Sequence, residues 1–165
     1  MSLARIARHL VSEGAARRRF PDRALDVIQR AIAVGEAWHK GQVCFAIEGA
    51  LPLRELLRAR SARARAHEVF AHLRVWDTEH NSGVLIYLLI ADHAIEIVAD
   101  RGIAARVPEA EWQAVCAQLR ERFGAGEFES GAVAAVEAVS DILARHFPTD
   151  GTPVDNELPD RPVRL

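Results

Sequence analysis

Two short polar segments carry most of the residues that could do chemistry. Asp77-Thr78 and Asn81 stand just before an apolar run that opens at Gly83, and Asp100-Arg101-Gly102 follow a second run that closes at Ala99. Carboxylates, a hydroxyl and an amide carbonyl are hard oxygen donors, which suit Ca²⁺ or Mg²⁺. Arg101 adds a guanidinium fork that could grip a phosphate or carboxylate. Upstream, Glu36 and His39 are three apart on one helical face and add a further carboxylate and an imidazole. Each residue also has a plainer use. Asp100 could cap the turn at Gly102, Arg101 could pair with a neighbouring carboxylate, and Thr78 and Asn81-Ser82-Gly83 could be the turn that opens a strand. Glu36-x-x-His39 lacks the second such pair and the two extra glutamates of a di-iron bundle. The chain has no His-Glu-x-x-His, phosphate-loop glycine pattern or Gly-x-Ser-x-Gly elbow.

The elements that must position these residues follow from hydrophobic periodicity. Gly83–Ile90 is an almost unbroken apolar run, as expected of a strand covered on both faces. Ala91-Asp92-His93 makes a turn and Ala94–Ala99 returns, which gives an antiparallel hairpin. In such a hairpin the start of the first strand lies beside the end of the second. Asp77, Thr78 and Asn81 are thereby brought to Asp100 and Arg101. A strand over Val43–Glu48 connects to Gly83 through about 30 residues of helix, a length that suits a right-handed parallel crossover. Its start, together with Glu36 and His39, then falls at the same sheet end.

Around this core the spacing predicts a basic amphipathic helix over 3–19, with Leu3, Ile6, Leu10 and Val11 on one face. It predicts helices from Pro21 to about His39, from Pro52 to about Leu73, from Pro108 to Phe123, and from about Ser130 to His146. Trp38, Trp76 and Trp112 read as packing residues, and the arginines from Arg54 to Arg65 as a solvated helix face. Glu68 and His72, four apart, read as a surface hydrogen bond. The organisation expected is a basic N-terminal helix over 1–20, one α/β domain over 21–148, and a polar, proline-containing tail over 149–165, disordered or draped on the surface.

Composition excludes several classes. Half of the 165 residues are apolar, enough for one sizeable core without staples. The two cysteines, Cys44 and Cys116, allow neither a disulfide framework nor a zinc spacing and read as reduced, buried thiols. No run approaches a membrane span, and Arg5, Arg8 and His9 interrupt the start where a signal peptide would need an apolar core. The expected location is cytoplasmic. Residues 1–76 carry a net charge of +7 and residues 77–165 one of −9. Those halves could face partners or neutralise one another within the fold. The arginines lack interleaved aromatics, and no nucleic-acid partner is expected.

The segments Trp76-Asp-Thr-Glu-His-Asn-Ser-Gly-Val-Leu-Ile-Tyr87 and Ile97-Val-Ala-Asp-Arg-Gly-Ile103 resemble the TPM-domain family, and the similarity runs from about Ala24 to Pro148. Thr78, the run from Asn81, Asp100-Arg101-Gly102 and Trp112 carry it. Asn156-Glu-Leu-Pro-Asp160 resembles a bacterial subgroup. The resemblance implies a three-layer α/β/α sandwich on a small mixed sheet, divalent-metal binding (calcium in particular), and acid phosphatase activity in at least one branch. Where the family often has Glu-x-x-Thr-x-Gly-Glu, this chain has Glu36-Ala-Trp-His39-Lys-Gly41-Gln42, so one carboxylate is missing.

Three functions are therefore expected to compete. The first is a Ca²⁺- or Mg²⁺-binding or interaction module using Asp77, Thr78, Asn81, Asp100, Glu36 and His39. The second is a metal-assisted acid phosphatase with Arg101 on the anion. The third is an adaptor at a membrane surface or an acidic protein partner, using the basic N-terminal helix.

Overall fold

The computed structural model describes residues 3–12, 14–152 and 155–165. Its centre is a four-stranded mixed sheet of order β3-β2-β1-β4. The first three strands are β1 (Gln42–Glu48), β2 (Gly83–Leu89) and β3 (Ala94–Ala99), and the fourth, β4, is the two-residue Val163–Arg164. β1 and β2 are parallel, with Gln42 opposite Gly83 and Glu48 opposite Leu89. β2 and β3 form the expected antiparallel hairpin, with Val84 opposite Ala99. Every residue of β1 and β2 is buried, because helices cover both faces.

Side-chain alternation divides the core in two. Val43, Phe45, Ile47, Ile86 and Ile97 face a large layer built by α2 (Ala15–Arg19), α3 (Asp22–Glu36), α7 (Glu109–Gly124) and α8 (Phe128–His146). Cys44, Ala46, Leu85, Tyr87 and Val98 face a smaller layer built by α4 (Leu53–Leu57) and α5 (Ala62–His72). The molecule is thus the expected α/β/α sandwich with unequal outer layers. Both cysteines are free and buried.

Several expectations are corrected. The helix over 3–19 is two helices, α1 (Leu3–Ser12) and α2, with Gly14 at the start of the second. Leu3, Leu10 and Val11 of α1 are exposed rather than packed. The helix over 52–73 is broken into α4 and α5, because Ala59 takes a left-handed backbone at φ 52° and Ser61 caps a new helix through Ala64 N–H. The last helix begins at Phe128, two residues early, where Phe128 packs against Phe20 and Phe123. A short α6 (Arg101–Ala104) follows β3 directly. The tail does not simply drape: β4 pairs with β1, setting Val163 opposite Ala46. Pro153 and Val154 of that tail lie outside the described residues. Trp112 is buried as expected, but Trp38 and Trp76 are 67% and 50% exposed.

Candidate functional site at the hairpin end

The three strand ends meet as topology requires. Asp100 N–H donates to Gly83 O at 2.8 Å, and Gln42 N–H donates to Ser82 O at 3.0 Å. Between β2 and the preceding helix, Thr78–Ser82 closes as a tight turn: Asn81 N–H donates to Thr78 O, and Ser82 N–H to Thr78 Oγ1 at 2.9 Å. Asn81 takes φ 51°, a left-handed conformation that asparagine tolerates better than most residues. The turn lies directly on Gly102, where a Cβ would stand 2.6 Å from Asn81 O and 2.9 Å from His80 O. Only glycine lets these two backbones approach so closely.

Asp100 is the centre of this arrangement. Its Oδ1 accepts Arg101 N–H at 2.7 Å and caps α6. The residue is only 9% exposed, and its Oδ2 is buried with no hydrogen-bond partner. A carboxylate oxygen in that position carries an uncompensated desolvation cost. Next to it Arg101 is exposed and donates its Nε–H to Asn81 Oδ1 at 3.0 Å. Thr78, Asn81, Asp100 and Arg101 are therefore gathered in one place.

The other three sequence candidates face elsewhere. Asp77 is exposed, and its carboxylate lies 4.0 Å from the Arg74 guanidinium. Glu36 Oε1 accepts Val43 N–H at 2.7 Å. Val43 is two strand spacings, about 10 Å, from the backbone position of Ala99 on β3. Burial pushes the Glu36 carboxyl up to about 7, the Val43 hydrogen bond opposes this, and the nearby Asp160 charge adds to it. His39 is 2% exposed; its Nδ1 is held against Gly41, and its Nε2 has no partner. A Cβ on Gly35 would be 2.1 Å from Ser140 Oγ and 3.8 Å from His39 Nε2, so that imidazole nitrogen looks into the α3–α8 seam. Burial lowers His39 to about 4, against the pull of the Gly41 backbone. Among the described residues no three His, Cys, Asp or Glu side chains converge tightly enough to chelate an ion by themselves.

The tail supplies residues that periodicity did not reveal. Gln42 Oε1 accepts Glu157 N–H at 2.8 Å and Leu158 N–H at 3.2 Å, and Glu157 Oε2 accepts Glu79 N–H at 2.9 Å. Glu36, Gln42, Asn156 and Asp160 line a depression of about 320 Å³ beside the hairpin end. Gln42 is therefore a fastener for the tail. A second charge there would lie against Glu36.

The opposite sheet end is closed by ion pairs. Glu48, at the end of β1, is 4% exposed and accepts Tyr87 O–H at 2.6 Å and two Arg65 N–H groups, both at 2.9 Å. Burial and the Glu48 charge push the Tyr87 phenol upward, and the Glu48 hydrogen bond does the same to Arg65. Arg60 reaches Glu55 and Glu68, and Arg63 donates to Ile97 O at 2.6 Å. Of the arginines from Arg54 to Arg65 expected on a solvated face, Arg54 and Arg58 are exposed, whereas Arg60, Arg63 and Arg65 are bound into the fold. Glu68 pairs with Arg60 and Arg65, not with His72.

Together these observations define an α/β/α sandwich with one partnerless carboxylate oxygen, Asp100 Oδ2, where the end of β3 meets the starts of β1 and β2, while His39 Nε2 and Ser140 Oγ lie without partners in the α3–α8 seam. A family model described as the TPM domain matches residues 24–142, which is most of the chain. The protein belongs to the TPM-domain family. Its fold is similar to the NMR structure of the BA42 protein from the psychrophilic bacterium Bizionia argentinensis, with a TM-score of 0.72 and 26% identity. The match covers 87% of this chain and 93% of that one. No match arises among curated proteins.

Proposed function

We propose that this TPM-domain protein is a binding module for a hard divalent cation, Ca²⁺ or Mg²⁺, at the hairpin end. The observation that carries the reading is Asp100 Oδ2, a buried carboxylate oxygen with no donor. A cation would satisfy it, and Thr78 Oγ1, Asn81 Oδ1 and nearby backbone carbonyls are the neutral oxygens within the same turn. With one carboxylate among them the affinity belongs to the weak class, on the order of 10⁻⁴–10⁻³ M. Calorimetric titration and thermal unfolding with CaCl₂ and MgCl₂ test the reading on wild type and Asp100→Ala. Wild type should gain melting temperature with one of the two salts and the variant should not. Absence of both heat and shift in wild type removes the reading.

Arg101 supports a second reading. Its guanidinium is exposed beside Asp100, with only Nε–H committed to Asn81. A metal-assisted phosphatase would use the cation to polarise a phosphoryl oxygen and Arg101 to hold the charge that develops. Turnover of aryl phosphates that is lost in both Asp100→Ala and Arg101→Ala would favour it. Turnover indifferent to both substitutions would assign the activity to a contaminant.

A further inference from the structure

Helix α1 docks on the molecule the wrong way round for an ordinary amphipathic helix. At 100° per residue, Arg5 and His9 project from one side and Leu3, Ile6, Leu10 and Val11 from the other. The charged side is the one that faces the protein. Arg5 donates to Asp92 at 2.7–3.1 Å and to Arg60 O at 2.7 Å. His9 is 2% exposed, with Nε2 3.0 Å from Asp92 Oδ1 and Nδ1 accepting Leu51 N–H at 2.9 Å. Since Nδ1 accepts, the ring proton sits on Nε2 and is donated to Asp92. Burial would raise the Asp92 carboxyl, but the hydrogen bonds from Arg5 and His9 outweigh it and hold it below the usual range. The helix is therefore fixed through buried polar contacts, and most of its apolar stripe is left in solvent: Leu3, Val11 and Leu10 are 85%, 75% and 66% exposed, and Ile6 is half-buried.

Charge says what covers that stripe. Residues 3–19 carry five arginines and a single carboxylate, Glu13. Arg8 is half exposed but reaches Asp92 at 3.5 Å, and of the three exposed arginines of α2, Arg19 lies over the Phe128 ring, which leaves Arg17 and Arg18. We propose that α1 and α2 form a peripheral membrane-docking surface: Leu3, Leu10 and Val11 enter the acyl boundary of an anionic bilayer, and Arg17 and Arg18 meet its headgroups. A stripe of leucine and valine flanked by arginine is the composition of an interfacial helix. Self-association through the same stripe would bring the arginine clusters of two copies together, which their repulsion disfavours. Among the described residues no helix is long and apolar enough to cross a membrane, so the association is with the surface. It involves none of the hairpin-end residues and stands independently of the cation reading.

The test is co-sedimentation of the full chain with vesicles of phosphatidylcholine alone and of phosphatidylcholine with phosphatidylglycerol in equal parts. Binding is expected only to the anionic vesicles, and it should weaken as salt is raised. Leu10→Ser/Val11→Ser should abolish it while leaving the melting temperature unchanged, because both side chains are already in solvent. Arg17→Gln and Arg18→Gln should each lower affinity on the order of five-fold. Three results overturn the proposal: no sedimentation with anionic vesicles, sedimentation indifferent to the double serine variant, or a dimer by sedimentation velocity that the same variant dissociates. The last would assign the stripe to a second copy of the chain.

Discussion

The two ends of the sheet treat buried polar groups in opposite ways. At the carboxyl ends of β1 and β2, Glu48 is buried and each oxygen is engaged, one by Arg65 and the other by Arg65 and Tyr87 together. At the amino ends, Asp100 Oδ2 is also buried and has no partner. Open α/β sheets ordinarily take ligands at the carboxyl ends of their strands. Here that end is filled by the protein's own ion pairs, with α4 and α5 alongside. What remains available is the end where a hairpin brings the close of β3 beside the starts of β1 and β2. A satisfied polar network fixes a structure, whereas a buried polar atom without a partner calls for a specific account, such as strain, an ordered water or an ion.

That contrast is most exposed to challenge at Arg65. Arg65→Ala would leave Glu48 buried with only the Tyr87 hydroxyl. Removing one partner of a buried pair generally costs about 3–5 kcal/mol. The Arg65 side chain is 24% exposed, so water can reach part of the gap and the lower figure, about 3 kcal/mol, is expected. Urea unfolding measures it. A second substitution, Glu48→Gln, should return part of the loss by removing the stranded charge. A loss below about 1 kcal/mol would mean that the carboxyl end is no more committed to stability than the hairpin end.

The next effect separates the depression beside the hairpin end from the site itself. Glu36 has an ordinary value of 4.5 and is raised to about 7 in the fold, chiefly by burial. A raised carboxyl contributes its stability below the unfolded value, and that contribution is lost as pH rises through the folded value. His39 works in the other direction. Lowered from 6.5 to about 4, it contributes above 6.5 and loses that as pH falls through 4. The two oppose each other between pH 4.5 and 6.5, so the Glu36 effect is cleanest from pH 6.5 to 8. Wild type should lose stability across that interval, and Glu36→Gln, which keeps an acceptor for Val43 N–H, should not. Because the folded-state carboxyl is mostly ionised above pH 7, urea unfolding at the two pH values should show a gap of at most about 0.8 kcal/mol, discounted further for the partial exposure of Glu36. Equal slopes in the two proteins would remove the burial argument.

Much of this arrangement was legible in the sequence because it rests on local patterns. The run from Gly83, the return from Ala94 and the turn between them fix a hairpin. Pairing then forces Thr78 and Asn81 towards Asp100, whatever the family. What stayed hidden depends on contacts distant in sequence. A two-residue strand such as β4 has no periodicity to read, and the grip of Gln42 on Glu157 and Leu158 spans more than a hundred residues. Arg65 and Glu48 are visible as charges but not as a pair. The stripe on α1 was readable, but which side would face the protein was not, because Asp92 reverses the usual answer. Alanine at position 59 fits a helix, and nothing local in the sequence announces its left-handed backbone.

The smallest effect bears most directly on the hairpin end. Asp100→Asn keeps an oxygen to cap Arg101 N–H and replaces the partnerless Oδ2 by an amide, so the buried charge is removed while the turn is retained. Caps of aspartate and asparagine are close in strength, and the exchange alone is worth only tenths of a kcal/mol. Relief of the stranded oxygen acts in the stabilising direction, and the net change should lie within about 1 kcal/mol of zero. This is the reverse of what Arg65→Ala does at the other end, although both substitutions break up a buried polar group. Thermal unfolding in the presence of EDTA gives the stability, and the same measurement with CaCl₂ or MgCl₂ gives the function. The variant should match or exceed wild type in the first and show no response in the second. A loss of several kcal/mol in EDTA would mean that Asp100 is as structurally committed as Glu48, and the difference between the two sheet ends would then vanish.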